Sequence, residues 1–366
     1  MKALRRHAAP HGSNGARLRP ASNGSGATDP RHEPDGAQSP NGAGGPSRAT
    51  ACGTTLMVAS SGGHLAQLRQ LSRRLRGVSD DHLWITFDTV QSRSILRDPD
   101  VVYVRGTYSR DIVPAVANLR TLDRIIREND VSAVVSTGSA VALSAMLPAR
   151  RRRIPCHYIE SAARSAGPSL TGRMLAAVPG VRLYTQYRSW EDERWRYRGS
   201  VFDGFRPGAH GSGAAPARVV VTLGSRGYGF RRLLERLVEV IPRDAEVLWQ
   251  TGPTDTRGLP IEPTPTLPYS DLMAAIADAD LVVSHAGVGS ALAALEAGRL
   301  PILVPRRPQY GEIVDDHQEQ AARELDERGL ALVREVETLT VDDLAAATGT
   351  TVEPTDSSGA IELDRG

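Results

Sequence analysis

The stretch Ser284-His285-Ala286-Gly287-Val288-Gly289-Ser290 follows the apolar run Leu281-Val282-Val283 and opens onto an alanine- and leucine-rich segment. That order predicts a buried strand, a glycine turn and the N-terminus of a helix. Gly287 and Gly289 allow close backbone approach, Ser290 caps or donates at the first turn, and the helix dipole favours an anion there. Glu296, farther along the same helix, is a candidate acceptor for ribose hydroxyls. A second apolar strand at 301–305 leads through Arg306 and Arg307 into Tyr310-Gly311-Glu312 and Asp315-Asp316-His317-Gln318. Donors and acceptors held in fixed directions suit a hydroxyl-rich sugar, so Glu312, Asp316, His317 and Gln318 join His285 as candidates for a nucleotide-sugar site. An N-cap role for Asp315 or Asp316 is compatible with the same residues.

Outward from this turn the same unit recurs. Strands are expected at 55–59, 82–86, 101–104, 133–136, 156–159 and 182–185, then at 218–222, 246–250, 281–284, 302–304 and 331–333, with turns and amphipathic segments between. This alternation is the pattern of parallel sheets covered by helices, so the fold class is α/β with two Rossmann-like units facing a cleft. The first unit spans 51–206 and the second 217–347. Between them 207–216, Pro-Gly-Ala-His-Gly-Ser-Gly-Ala-Ala-Pro, is expected to be a flexible linker. Residues 1–50 and 348–366 lack apolar periodicity and are expected to be disordered tails.

In the first unit, Ser60-Ser61-Gly62-Gly63-His64 follows a strand and precedes a helix. Gly62 and Gly63 bring backbone amides close to an oxyanion, and His64 at the mouth of the cleft is the first candidate general base. Ser136-Thr137-Gly138-Ser139 repeats the arrangement, and Tyr158-Ile159-Glu160-Ser161-Ala162-Ala163-Arg164 sets a carboxylate and a guanidinium past a strand end. Glu160 is the second candidate base, with a structural pair to Arg164 as the alternative. Gly62, Gly63, Gly138, Ser139 and Arg164 are the candidate acceptor-binding residues. The mixture of turn formers, apolar and basic residues over 165–175 suits a lipid interface, or a plain loop and helix packing on the sheet. In the second unit Thr222-Leu223-Gly224-Ser225-Arg226-Gly227 offers Gly224 and Ser225 to a phosphate.

Composition narrows the chemistry. The chain has 366 residues, is 40% hydrophobic and carries a formal net charge of +2. No apolar run is long enough to span a bilayer and no signal peptide is evident, so a cytoplasmic location is expected. The only lysine is Lys2, which excludes Schiff-base chemistry and a lysine-bearing P-loop in the folded part. Cys52 and Cys156 match no metal or redox spacing. From Arg150 to Arg206 arginines outnumber carboxylates twelve to five, without the patterns of a nucleic-acid-binding module, so anionic lipid or a diphosphate is the expected partner.

The Ser-His-Ala-Gly and Asp-His-Gln patterns of the second half resemble the sugar-nucleotide-binding subunit of two-part glycosyltransferases. These include the pair that adds the second N-acetylglucosamine to dolichol diphosphate and bacterial exopolysaccharide pairs. The first half resembles the companion subunit through Ser61-Gly62-Gly63-His64 and through Tyr158-Ile159-Glu160-Ser161, Arg164 and Ser169-Leu170-Thr171-Gly172. The resemblance implies a GT-B fold in which both subunits are fused, related also to the peptidoglycan lipid-intermediate N-acetylglucosaminyltransferase. It implies an inverting, metal-independent transfer without a cofactor, from a nucleotide sugar to a polyprenyl-diphosphate saccharide. Two departures stand out. Ala293 occupies the place of a ribose-binding glutamate in some relatives, with Glu296 as the candidate replacement, and the membrane-spanning N-terminal anchor of many companion subunits is expected to be absent. Attachment to the inner face of the cell membrane is therefore expected to be peripheral or through a membrane protein partner. The alternatives are a nucleotide-sugar 2-epimerase and a non-catalytic donor-binding partner of a membrane transferase.

Overall fold

The computed structural model describes residues 53–97, 100–106, 112–225, 227–314, 316–355 and 359–364. The tail expected over 1–50 lies outside the described residues, as do Cys52, Arg226 and Asp315. In chain order the first half contains β1 (Thr54–Ala59), α1 (Gly63–Ser72), β2 (Leu75–Arg76), β3 (His82–Phe87), α2 (Val90–Ile95), β4 (Val101–Val104) and α3 (Ile112–Glu128). It continues with β5 (Val131–Gly138), α4 (Ala140–Arg151), β6 (Cys156–Ile159), α5 (Leu170–Ala176), β7 (Val181–Thr185), β8 (Trp195–Tyr197) and β9 (Phe205–Pro207). The second half contains β10 (Arg218–Thr222), α6 (Arg231–Val240), β11 (Glu246–Gln250), β12 (Pro263–Thr264), α7 (Tyr269–Asp278), β13 (Leu281–His285) and α8 (Val288–Glu296). After these come β14 (Pro301–Val304), α9 (His317–Glu327), β15 (Leu332–Val333), α10 (Val341–Ala347), β16 (Val352–Pro354) and β17 (Ile361–Glu362).

Two parallel sheets result, ordered β4-β3-β1-β5-β6-β7-β8 and β12-β11-β10-β13-β14-β15. The central strands are apolar on both faces, as Leu56-Met57-Val58 and Val282-Val283 show, because helices cover both sides of such a sheet. One apolar cluster joins the halves: Leu65, Leu68 and Leu71 of α1 share it with Ala291, Leu292, Ala293 and Leu295 of α8. The alanines let the two helices approach closely. A second contact sets Ser94 of α2 against the start of α7, where Ser94 Oγ accepts from the Ser270 N–H at 2.9 Å.

The chain end corrects the sequence reading. Residues 348–355 and 359–364, expected to be disordered, return across both halves. Strand β16 pairs antiparallel with β9, and Gly208 N–H, in the expected flexible linker, donates to the Thr351 carbonyl at 2.9 Å. Strand β17 pairs with β2 of the first half, burying Ile361 and Leu363. Asp364 then accepts from Arg196 at 2.8 Å and from the Tyr184 hydroxyl at 3.3 Å. Short apolar islands between glycines and prolines carried too little periodicity to reveal strands of two and three residues. No helix of the described residues is long and apolar enough to cross a membrane.

Candidate active site

Each sheet reverses its strand order at one place, between β1 and β5 in the first and between β10 and β13 in the second. Strand ends open a crevice at such a switch point. A histidine spans each one. His64 Nδ1 lies 2.8 Å from the Thr137 carbonyl oxygen in β5, and Thr137 Oγ1 donates back to the His64 carbonyl at 2.7 Å. His285 Nδ1 lies 3.3 Å from the Thr222 carbonyl oxygen at the end of β10. Both rings rest on glycine. A Cβ on Gly138 would come within 2.8 Å of His64 Cε1, and one on Gly224 within 3.0 Å of His285 Cε1. A neutral imidazole that donates from Nδ1 carries its acceptor lone pair at Nε2, so the threonine carbonyl defines the basic nitrogen of His64.

Helices α1 and α8 run side by side in the same direction. Their first turns meet backbone to backbone, a Cβ on Gly63 falling 3.3 Å from Gly289 N and one on Gly289 3.0 Å from Gly63 Cα. Two positive helix ends therefore converge beside His64, the arrangement that favours a polyanion. Ser290 is buried in the first turn of α8, its N–H on the Gly287 carbonyl at 3.0 Å. On the first-half side, Ser139 precedes α4 with φ 72 and ψ 166. That region is nearly confined to glycine and costs about 1–3 kcal/mol, strain of a kind that clusters at functional sites.

Several predicted residues have other engagements. Glu160 is 1% exposed, and its Oε1 accepts from Tyr158 Oη (3.2 Å) and Ser161 N (3.0 Å). Its Oε2 accepts from Ser169 N (2.9 Å) and Ser169 Oγ (3.0 Å). Burial raises its pKa above the usual carboxylate range, and four donors turn it inward, where it anchors the Ser169 N-cap of α5. Gly172 follows from this: a Cβ there would lie 2.3 Å from Glu160 Oε2. Arg164 sits half-buried on the same loop, its N–H on the Ser161 carbonyl at 2.9 Å.

Glu296 is the last residue of α8, about 10 Å along the axis from Gly289. It accepts from Tyr269 Oη at 3.2 Å and faces the charges of Arg69 and Arg73 across the seam between the halves. Gly224 N–H donates to Gln250 Oε1 at 3.0 Å and is already engaged, while Ser225 stays exposed beside it. Glu312 is buried between the Arg232 guanidinium, bonded at 3.1 Å through both oxygens, and Arg307 N–H at 3.0 Å. Gln318 turns inward to accept from Arg306 N–H at 3.2 Å. Asp316 precedes α9 without a side-chain cap bond and accepts from Gln320 at 3.1 Å; the His317 side chain lies outside the described atoms.

The sequence reading missed a buried amide network under the first turn. Gln67 Nε2 donates to the Gly63 carbonyl and to Ser161 Oγ, both at 3.1 Å, while its Oε1 accepts from Ala162 N at 2.8 Å and Gln186 Nε2 at 3.2 Å. Its only signal was a glutamine at a core position of α1. Among the described residues no three His, Cys, Asp or Glu side chains converge as a metal site would require.

Residues 218–359 match the model described as the glycosyltransferase family 28 C-terminal domain. The chain is 29% identical over 276 residues, 68% of its length and 73% of the relative's, to a UDP-N-acetylglucosamine--N-acetylmuramyl-(pentapeptide) pyrophosphoryl-undecaprenol N-acetylglucosamine transferase of Syntrophotalea carbinolica. Its fold is similar to the glycosyltransferase of kitacinnamycin, with TM-score 0.52 and 19% identity over 81% of this chain and 89% of that one. It is similar also to the glycosyltransferase SnogD of Streptomyces nogalater, with TM-score 0.51 and 20% identity over 81% and 90%. The chain is a glycosyltransferase of the GT-B fold. Within that class it is related to the N-acetylglucosaminyltransferases that act on the peptidoglycan lipid intermediate.

Proposed function

We propose that the protein transfers a sugar from a UDP-linked donor to a hydroxyl of a polyprenyl-diphosphate saccharide during assembly of a surface polysaccharide, and that its two halves are the fused counterparts of a two-subunit pair. The observation that carries the reading is the convergence of the α1 and α8 N-termini at Gly63 and Gly289 beside the oriented imidazole of His64. The nucleotide sugar occupies the second half, with its diphosphate at the start of α8, and the acceptor enters over Gly62, Gly63, Gly138, Ser139 and Arg164.

In this mechanism His64 Nε2 removes the acceptor hydroxyl proton, and the oxygen attacks the anomeric carbon in line as the nucleoside diphosphate leaves, inverting that centre. The helix ends stabilise the charge growing on the leaving group. Peripheral attachment to the inner face of the membrane is supported by α5, where Leu170 is 75% and Met174 50% exposed, one turn apart beside the exposed Arg173. Incubation of the purified protein with UDP-N-acetylglucosamine and a polyprenyl-diphosphate saccharide fraction should release UDP and yield a longer lipid-linked saccharide. Epimerised donor formed without acceptor, or donor binding without transfer to any lipid fraction, overturns the reading.

A further inference from the structure

Among the described residues Arg306 is the only fully buried arginine, 4% exposed. It leaves the end of β14, and its side chain passes over the end of β13 to donate from Nη2 to the Leu223 carbonyl, 2.9 Å away at the end of β10. The guanidinium thus lies under the Gly224 turn, at the switch point spanned by His285. The Phe230 ring is 5.5 Å from its Cζ. Its Nε has no hydrogen-bond partner, and among the described residues no carboxylate is bonded to it. Glu312, whose charge reaches it, is already bonded by Arg232 and Arg307 N–H.

A buried cation without a counter-ion is unfavourable, and buried polar atoms are ordinarily satisfied. Burial pulls this arginine down to about 10, so it still carries its charge at neutral pH. Among the described residues the guanidinium thus sits at the strand ends with no carboxylate bonded to it, the charge of Glu312 acting only from a distance. We propose that Arg306 is the counter-charge for the diphosphate of the donor, and that this anion completes the electrostatics of the switch point. The inference rests on the donor site proposed above. It separates the phosphates, which need Arg306, from the nucleoside, which does not.

The test compares binding of UDP and uridine to the full chain and to R306Q and R306K by calorimetry. R306Q should weaken UDP by about 10–100-fold, the range of a charge-assisted contact, and leave uridine within about twofold. R306K, which keeps the charge, should recover most of the UDP affinity. Equal weakening of UDP and uridine makes Arg306 only a support for the Leu223–Gly224 turn, and unchanged UDP affinity removes it from the site; either overturns the proposal. A wild-type chain that binds neither compound refutes the donor site itself, a separate outcome. Should R306Q not fold, the Arg306 Nε–H resonance of the wild type, assigned by its loss in R306K, gives the answer. It should move with UDP and with inorganic pyrophosphate but not with uridine, and a resonance that ignores both anions overturns the proposal.

Discussion

His64 and His285 are held in the same way on opposite halves of the molecule: each bridges the switch point of its sheet, bonds a threonine carbonyl through Nδ1 and packs its ring on a glycine. Their surroundings then divide the labour. His285 is buried and wedged between two glycines, a Cβ on Gly287 falling 2.3 Å from its Nε2, so its ring shapes the turn before α8. His64 is only half-buried and stands where the two helix ends meet. These surroundings favour the proposed proton-transfer role for His64, while the His285 ring fixes the turn before α8.

Replacing His64 by alanine should lower kcat by about 10²–10⁴-fold, the ordinary contribution of a general base. Because the diphosphate is assigned to the other half, UDP affinity measured by calorimetry should stay within about twofold. Unchanged turnover would take His64 out of the mechanism.

A pH dependence of stability is expected from His157, which is buried on β6 with Nδ1 3.1 Å from Tyr184 Oη. Burial, then the charge of Arg182, lowers its pKa from 6.5 to about 4, against a smaller opposing effect of Asp364. Between those values the unfolded chain binds a proton that the folded one refuses. Its contribution is thus complete above 6.5 and declines as pH falls toward 4, by about 3 kcal/mol in all. Urea midpoints between pH 7 and 4 should fall more steeply for the wild type than for H157Q; parallel slopes would contradict the assignment.

The strands of both sheets, apart from the short edge strands β8 and β12, were legible because apolar β-branched runs ending in glycine turns leave few alternatives, and the Gly62-Gly63-His64 and His285-Ala286-Gly287 turns could be placed from that pattern alone. What the sequence could not disclose was orientation. Glu160 and Glu312 sit beside chemistry-bearing motifs, yet each folds inward onto donors nine or eighty positions away, Ser169 N–H and Arg232. Glu296 lay on the right helix but at its far end, since spacing gives a face and not which element covers it. Arg306 was visible as a charge in a loop; its burial depends on a carbonyl contributed by another strand.

The returning chain end should be a substantial part of stability. Leu363 is 3% exposed under the first half, so Leu363→Ala should cost about 2–5 kcal/mol in urea unfolding. Asp364→Asn, which weakens partly exposed pairs with Arg196 and Arg198, should cost about 1 kcal/mol or less. A Leu363→Ala change without effect would mean that the end of the chain does not dock as described.

The contact between Gly63 and Gly289 can be probed through non-additivity. An alanine at 289 would place its Cβ 3.0 Å from Gly63 Cα and 3.3 Å from Gly63 N, and backbone cannot swing aside as a side chain would. Relief requires α1 and α8 to separate, so Gly289→Ala should cost about 1–3 kcal/mol, with a rise in the donor KM as the helix ends diverge. Gly63→Ala, whose nearest atom is 3.3 Å away, should cost less. Once one alanine has spread the helices, the second meets little further resistance. The double variant should therefore be more stable than the sum of the single losses predicts, by about 0.5 kcal/mol or more in a denaturation cycle. Strict additivity would show that the two glycines are accommodated independently and that the halves do not meet at this point.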